Sequence, residues 1–208
     1  MKVRNLFSTV VAACAFATAA QVSAAPILQV NSAGILTGAT GVNVGGTLYD
    51  VTFKEGSCNL VFSGCDPAMF TFQVQSDAFR AAQALLDQVL VDGPLGMFDS
   101  MPNKVLGCSG ANSLCFSSIP YNSFRTYGVI TYVDIASAVN VVSGQNSFGD
   151  QAQSGQGEPV DRANPTTIAH WAVFQVASLD ENTVPEPSSI ALMGLAMAGL
   201  AFARRRKS

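Results

Sequence analysis

The sequence predicts an α+β fold, mostly β: an antiparallel β-rich, sandwich-like domain with one amphipathic helix and two disulfides, flanked by an N-terminal signal helix and a C-terminal transmembrane helix. Three observations predict it. Short runs of alternating β-branched and aromatic residues recur through residues 25–178, and one stretch repeats its apolar residues at helical spacing. Both ends of the chain are apolar segments flanked by basic residues.

The N-terminus reads Met1-Lys2-Val3-Arg4-Asn5, then an apolar stretch over residues 6–20, then Gln21-Val22-Ser23-Ala24-Ala25-Pro26. A basic start, an apolar middle and small residues before a cleavage point make a secretory signal peptide over residues 1–24, a substrate for signal peptidase. Cleavage is placed after Ala24, with Val22 and Ala24 in the specificity positions; a cut after Ala25 leaves proline next in line. Two rival readings are a buried N-terminal helix and a lipoprotein site. In the second, Val11-Ala12-Ala13-Cys14 makes Cys14 a lipidated N-terminus, but the apolar stretch before it is short.

From Ala25 onward the elements follow in order. Gly41-Val42-Asn43-Val44 and Thr47-Leu48-Tyr49-Asp50-Val51-Thr52-Phe53 flank Gly45-Gly46, the pattern of a hairpin. Residues 70–74 form another short alternating run. Ser76 is placed to cap a helix in which Phe79, Ala82, Leu86 and Val89 share an apolar stripe, with Leu85 and Leu90 beside it. Asp77 suits the first turn of that helix, and Asp92-Gly93-Pro94 ends it. Residues 124–135, with Tyr127, Val129, Ile130, Thr131, Tyr132 and Val133, read as one strand. Residues 143–165 are Gly-, Gln-, Asn-, Ser- and Asp-rich and nearly free of apolar side chains, so they read as a long exposed loop. Residues 166–177 read as the last strand, with Trp171 in the core. Residues 179–187 are a polar linker, and 188–208 a hydrophobic tail with a basic end.

Cysteine spacing is the most structured signal in the body. Once Cys14 leaves with the signal peptide, Cys58, Cys65, Cys108 and Cys115 form two pairs, each with six intervening residues. An even number in an exported chain implies disulfides, with three possible connectivities. Glycines in or beside each short loop (Gly64; Gly107 and Gly110) let the chain turn back, which favours Cys58–Cys65 and Cys108–Cys115. Closing a loop of about eight residues stabilises by roughly 2.5 kcal/mol in the chain-entropy picture. Zinc is the rival reading; it needs thiolates in an oxidising compartment, at a spacing wider than the usual two to four residues.

At the C-terminus, Val184-Pro185-Glu186-Pro187-Ser188-Ser189 leads into an apolar run over residues 190–203, closed by Arg204, Arg205, Arg206 and Lys207. As a helix that run is about 21 Å long, short for a hydrocarbon core of about 30 Å. The basic cluster holds its end on the cytoplasmic side of the inner membrane, so the run is a marginal stop that keeps a polar motif just outside the bilayer. This tripartite arrangement over residues 184–207 resembles the PEP-CTERM sorting signal of Gram-negative bacteria. The resemblance implies that an exosortase, a membrane protease-transpeptidase, recognises Pro185, Glu186 and Pro187. It implies display at the cell surface or in the extracellular matrix, in association with exopolysaccharide or biofilm. The plain alternative, a permanent single-pass anchor, shares the topology and differs only in whether the tail is removed. Residues 39–53 together with Ala84-Leu85-Leu86-Asp87-Gln88-Val89 are also similar to the ectodomain of a group of uncharacterised PEP-CTERM proteins, a similarity that implies one module and no catalytic residue.

Charge narrows the partners. Residues 25–187 carry five basic side chains (Lys54, Arg80, Lys104, Arg125, Arg162) against all 14 acidic ones, a difference of −9, whereas the full chain is −3. That sign argues against nucleic acid, whose phosphates need a positive partner. Chemistry-bearing constellations are sparse. His170 is the only histidine and sits in an apolar strand beside Trp171, a core position; no Gly-x-Ser-x-Gly elbow and no phosphate-binding Gly-x₄-Gly-Lys loop occurs. Asp150, Glu158 and Asp161 lie in the polar stretch but do not match a calcium loop. The expectation is therefore an exported, non-enzymatic structural protein with no catalytic, cofactor or metal residue. Two further readings stay open: a carbohydrate- or calcium-binding adhesion module, and a secreted hydrolase working through paired carboxylates.

Overall fold

The computed structural model describes residues 25–110, 113–142, 149–161 and 168–178. Among the described residues, nine strands and two α-helices follow in chain order: β1 (Ile27–Val30), β2 (Leu36–Val44), β3 (Thr47–Lys54), α1 (Cys58–Val61), α2 (Gln75–Gln88), β4 (Asp92–Gly93), β5 (Gly96–Met97), β6 (Leu114–Tyr127), β7 (Ile130–Val141), β8 (Gln151–Pro159) and β9 (Ala169–Val176). Seven of these strands form one sheet in the order β1-β2-β3-β9-β6-β7-β8, and β4 and β5 pair separately. The expected sandwich is thus replaced by a single large sheet. It is not wholly antiparallel either, because β9 returns between β3 and β6 and runs parallel to β6. Inserting β9 at the centre joins the β1–β3 meander to the β6–β8 meander, and one continuous sheet results.

Helix α2 covers one face. Its buried residues are Ala78, Ala81, Ala82, Ala84, Leu85 and Leu86, and they pack in one core with Ala136, Ala138, Ala172, Val51, Phe53 and Ile119 from the sheet. Alanine facing alanine lets helix and sheet approach closely. The same closeness displaces Phe79, expected in the stripe, to a position 39% exposed. Full burial of Leu85 and Leu86 is worth about 1.5–3 kcal/mol each. Ser76 does not cap the helix: Val74 holds the cap position without a side-chain bond, and the Ser76 hydroxyl turns to Asp77 at 3.4 Å.

The other face is closed by residues 57–70. Ser57 caps α1 by accepting from Leu60 N–H at 3.2 Å. Phe62 and Phe70, buried beside the Cys58–Cys65 disulfide, then form a second core with Val133, Ile135 and Trp171. The rings of Phe62 and Trp171 meet edge to face at 5.6 Å, a favoured aromatic geometry. Residues 70–74, expected as a strand, alternate in burial but pair with no strand among the described residues, because they span the edge from this cap to α2.

Two other expectations change. Residues 124–135 are a hairpin rather than one strand: β6 ends at Tyr127, Gly128 turns at φ +62°, and β7 begins at Ile130. The β-branched and aromatic run hid the turn, and Val129 at its tip is fully exposed. Within the expected polar loop, Gln151–Pro159 is strand β8, paired antiparallel with β7 and bulged between Ser154 and Gln156. Its polar sequence fits an edge strand, where charged and polar side chains discourage edge-to-edge aggregation.

Candidate functional site

The polar chemistry buried under α2 gathers on three adjacent strands, β9, β6 and β7. Cross-strand partners share a face, so the register Asn140↔Cys115, Ala138↔Ser117 and Ser117↔His170 lays Asn140, Cys115, Ser117 and His170 side by side on the helix-covered face. All four are fully buried. Cys108 reaches the same spot from a loop tied to β2, where Leu106 N–H donates to Leu36 O at 2.9 Å. Disulfides link Cys108 to Cys115 and Cys58 to Cys65, with Cα–Cα distances of 5.7 and 4.9 Å.

His170 Nδ1 lies 3.6 Å from Cys108 Sγ and 3.8 Å from Cys115 Sγ. The Phe53 ring packs on the imidazole at a centroid distance of 4.2 Å. Gly107 closes the other side. Its φ is +80°, and a Cβ there would come within 2.8 Å of His170 Cβ and 2.9 Å of Ala169 O. Only glycine meets both demands. Burial pushes His170 down to about 3, so the ring is neutral at any physiological pH. Among the described residues, His170 Nε2, Ser117 Oγ and Asn140 Oδ1 have no hydrogen-bond partner, whereas Asn140 Nδ2 donates to Phe98 O at 2.7 Å. A serine beside a histidine is the raw material of acyl transfer, yet this pair is sealed from any substrate and the histidine has no carboxylate partner among the described residues.

The acidic residues Asp150, Glu158 and Asp161, which the sequence does not match to a calcium loop, have separate partners. Asp150 accepts from Val141 N–H at 2.7 Å, Glu158 lies on β8, and Asp161 bonds the Asn59 side chain. Asp150 instead meets Asp99, whose carboxyl is raised first by burial and then by the Asp150 charge. Asp92 stands nearby, held below its usual range by the Ser100 hydroxyl. Ser117 and Asn140 escape a reading of the sequence; the available signal is a polar residue at the period-two spacing of apolar neighbours, Cys115 and Ile119 in β6 and Ala136 and Ala138 in β7.

Ala25 is exposed at the start of the described residues. Ala24, Pro185, Glu186, Pro187, Arg204, Arg205, Arg206 and Lys207 lie outside them. Among the described residues no helix is long and apolar enough to cross a membrane. Residues 183–207 match the family model of the PEP-CTERM protein-sorting motif. The chain carries a PEP-CTERM sorting motif. Pro185-Glu186-Pro187 and the basic end both fall within the match, which implies export, a C-terminal membrane-anchored sorting signal and processing by exosortase-type machinery. No curated protein and no solved structure matches the chain.

The Cys58–Cys65 staple holds the cap over Trp171. Replacing Cys58 and Cys65 together with serine is expected to cost about 2–3 kcal/mol in urea unfolding. Non-reducing peptide mapping should still find Cys108 joined to Cys115.

Proposed function

We propose that this chain is a non-enzymatic structural protein of the cell surface or extracellular matrix of a Gram-negative bacterium. Signal peptidase cuts it after Ala24, exosortase cuts it at Pro185-Glu186-Pro187, and the released acidic domain associates with exopolysaccharide or biofilm material. The sorting motif at residues 183–207 carries this reading. The buried position of His170 supports it, because the one histidine is out of reach of a substrate. So does the excess of acidic residues over residues 25–187, which keeps a displayed domain soluble.

Mass spectrometry of the surface form tests the processing step. In cells with an exosortase, every residue beyond the motif should be missing. Alanine at Pro185, Glu186 and Pro187 together should leave the tail attached in at least nine-tenths of molecules. Intact Arg204 to Lys207 on the wild-type surface form would leave a permanent membrane anchor in its place. An adhesion module binding carbohydrate or calcium is the second reading. The juxtaposed carboxyls of Asp99 and Asp150 favour its calcium form, and thermal unfolding with and without calcium separates it from a purely structural role.

A further inference from the structure

We infer that the dithiol form of Cys108 and Cys115, together with His170 Nδ1, is a closed zinc site, so that this pair of cysteines is either a disulfide or a metal centre. The three donors are already gathered at one point. The three donor atoms lie within 4.8 Å of one another and all three residues are fully buried. A tetrahedral zinc with Zn–S of about 2.3 Å and Zn–N of about 2.0 Å sets nitrogen and sulfur about 3.6 Å apart. The observed Nδ1–Sγ distances are 3.6 and 3.8 Å. Parting the two sulfurs to about 3.8 Å, as two thiolates on one zinc require, is the main adjustment that remains.

Charge selects the metal. Two thiolates, a neutral imidazole and a divalent ion sum to zero, which a fully buried site demands; a monovalent ion would leave a buried negative charge. With zinc on Nδ1 the ring proton sits on Nε2. Ser117 is the register partner of His170, and neither its Oγ nor His170 Nε2 has a partner among the described residues, so a turn of the Ser117 hydroxyl would let it accept from that N–H. Asn140 Oδ1, on the register partner of Cys115 and equally unpartnered among the described residues, would be a candidate oxygen donor for the fourth position. Phe53 and Gly107 fix the ring from either side. Cys58 and Cys65 have no histidine to complete such a site, since the chain holds one.

The chemistry balances with a thiol reductant. Two external thiols are oxidised to a disulfide while the Cys108–Cys115 bond takes two electrons and two protons. Zinc then replaces the two thiol protons, which pass to solvent, with no further change of oxidation state.

The test uses the full chain in detergent, reduced and kept anaerobic, titrated with zinc and, as a spectroscopic probe, with cobalt(II). One ion per chain and a thiolate-to-cobalt charge-transfer band of tetrahedral type are expected; the oxidised chain should show neither. The Cys58→Ser/Cys65→Ser variant should keep the band, and His170→Gln should weaken binding at least tenfold. Absence of the band in the reduced wild type, or equal affinity in His170→Gln, overturns the site. A second readout needs no variant. Bound zinc should keep Cys108 and Cys115 apart during air oxidation while Cys58 and Cys65 close, and closure of both pairs at equal rates in the presence of zinc overturns it as well.

Discussion

Trp171→Ala should cost about 3–5 kcal/mol of unfolding free energy, the range for removing a fully buried large aromatic. The indole is 2% exposed and is the meeting point of the sheet with its cap. Its face packs among Phe62, Phe70, Val133, Ile135 and the Cys58–Cys65 disulfide. Its Nε1–H donates to Gly56 O at 2.9 Å, which pins the start of the cap. The alanine variant therefore opens a cavity and strips one carbonyl of its partner in the same step. Trp171→Phe separates the two effects: most of the packing stays, and the lost hydrogen bond should cost about 1 kcal/mol. Urea unfolding measures both. A cost below about 1.5 kcal/mol for the alanine variant would show that the cap is not fastened through this ring.

Acid is expected to destabilise the disulfide-bonded domain through His170. Burial depresses its folded value to about 3, against about 6.5 in an unfolded chain. Between those two values the unfolded state binds one more proton than the folded state, so stability falls as the pH falls. Above pH 6.5 the residue is neutral in both states and contributes no slope. Below it, stability drops by about 1.4 kcal/mol per pH unit, or about 3 kcal/mol by pH 4. Asp92, held below its usual range by Ser100, adds loss in the same direction at lower pH, while Asp99, raised by burial and by Asp150, works against it. Comparing wild type with His170→Gln removes both backgrounds. The variant's stability curve should be flatter by about one proton between pH 6 and 4, and equal slopes would mean that His170 finds water or a partner on folding.

Much of this could be read locally. The Gly45-Gly46 hairpin announces itself because two alternating runs flank a turn pair, and β2 and β3 pair across it. Trp171 declares a core strand by its apolar neighbours, and β9 runs through it. The helix was legible by period, though not the face it buries: which residues turn inward depends on the alanines opposite, which lie 50 or more residues away in sequence. Strand β8 was illegible for a related reason. An edge strand is held by backbone hydrogen bonds to β7, and those bonds leave no mark on side-chain composition.

The sequence by itself determined the address of this protein and the chemistry available to it. The sorting motif at residues 183–207 and the acidic balance of residues 25–187 are properties of contiguous residues, legible without the fold. Only the tertiary structure decided where that chemistry meets. Cys108 and Cys115 lie 62 and 55 residues from His170; they come together because β9 inserts parallel to β6 and puts Ser117 opposite His170. Strand order is set by which faces can be buried together across the whole sheet, and no local pattern of residues encodes that sum.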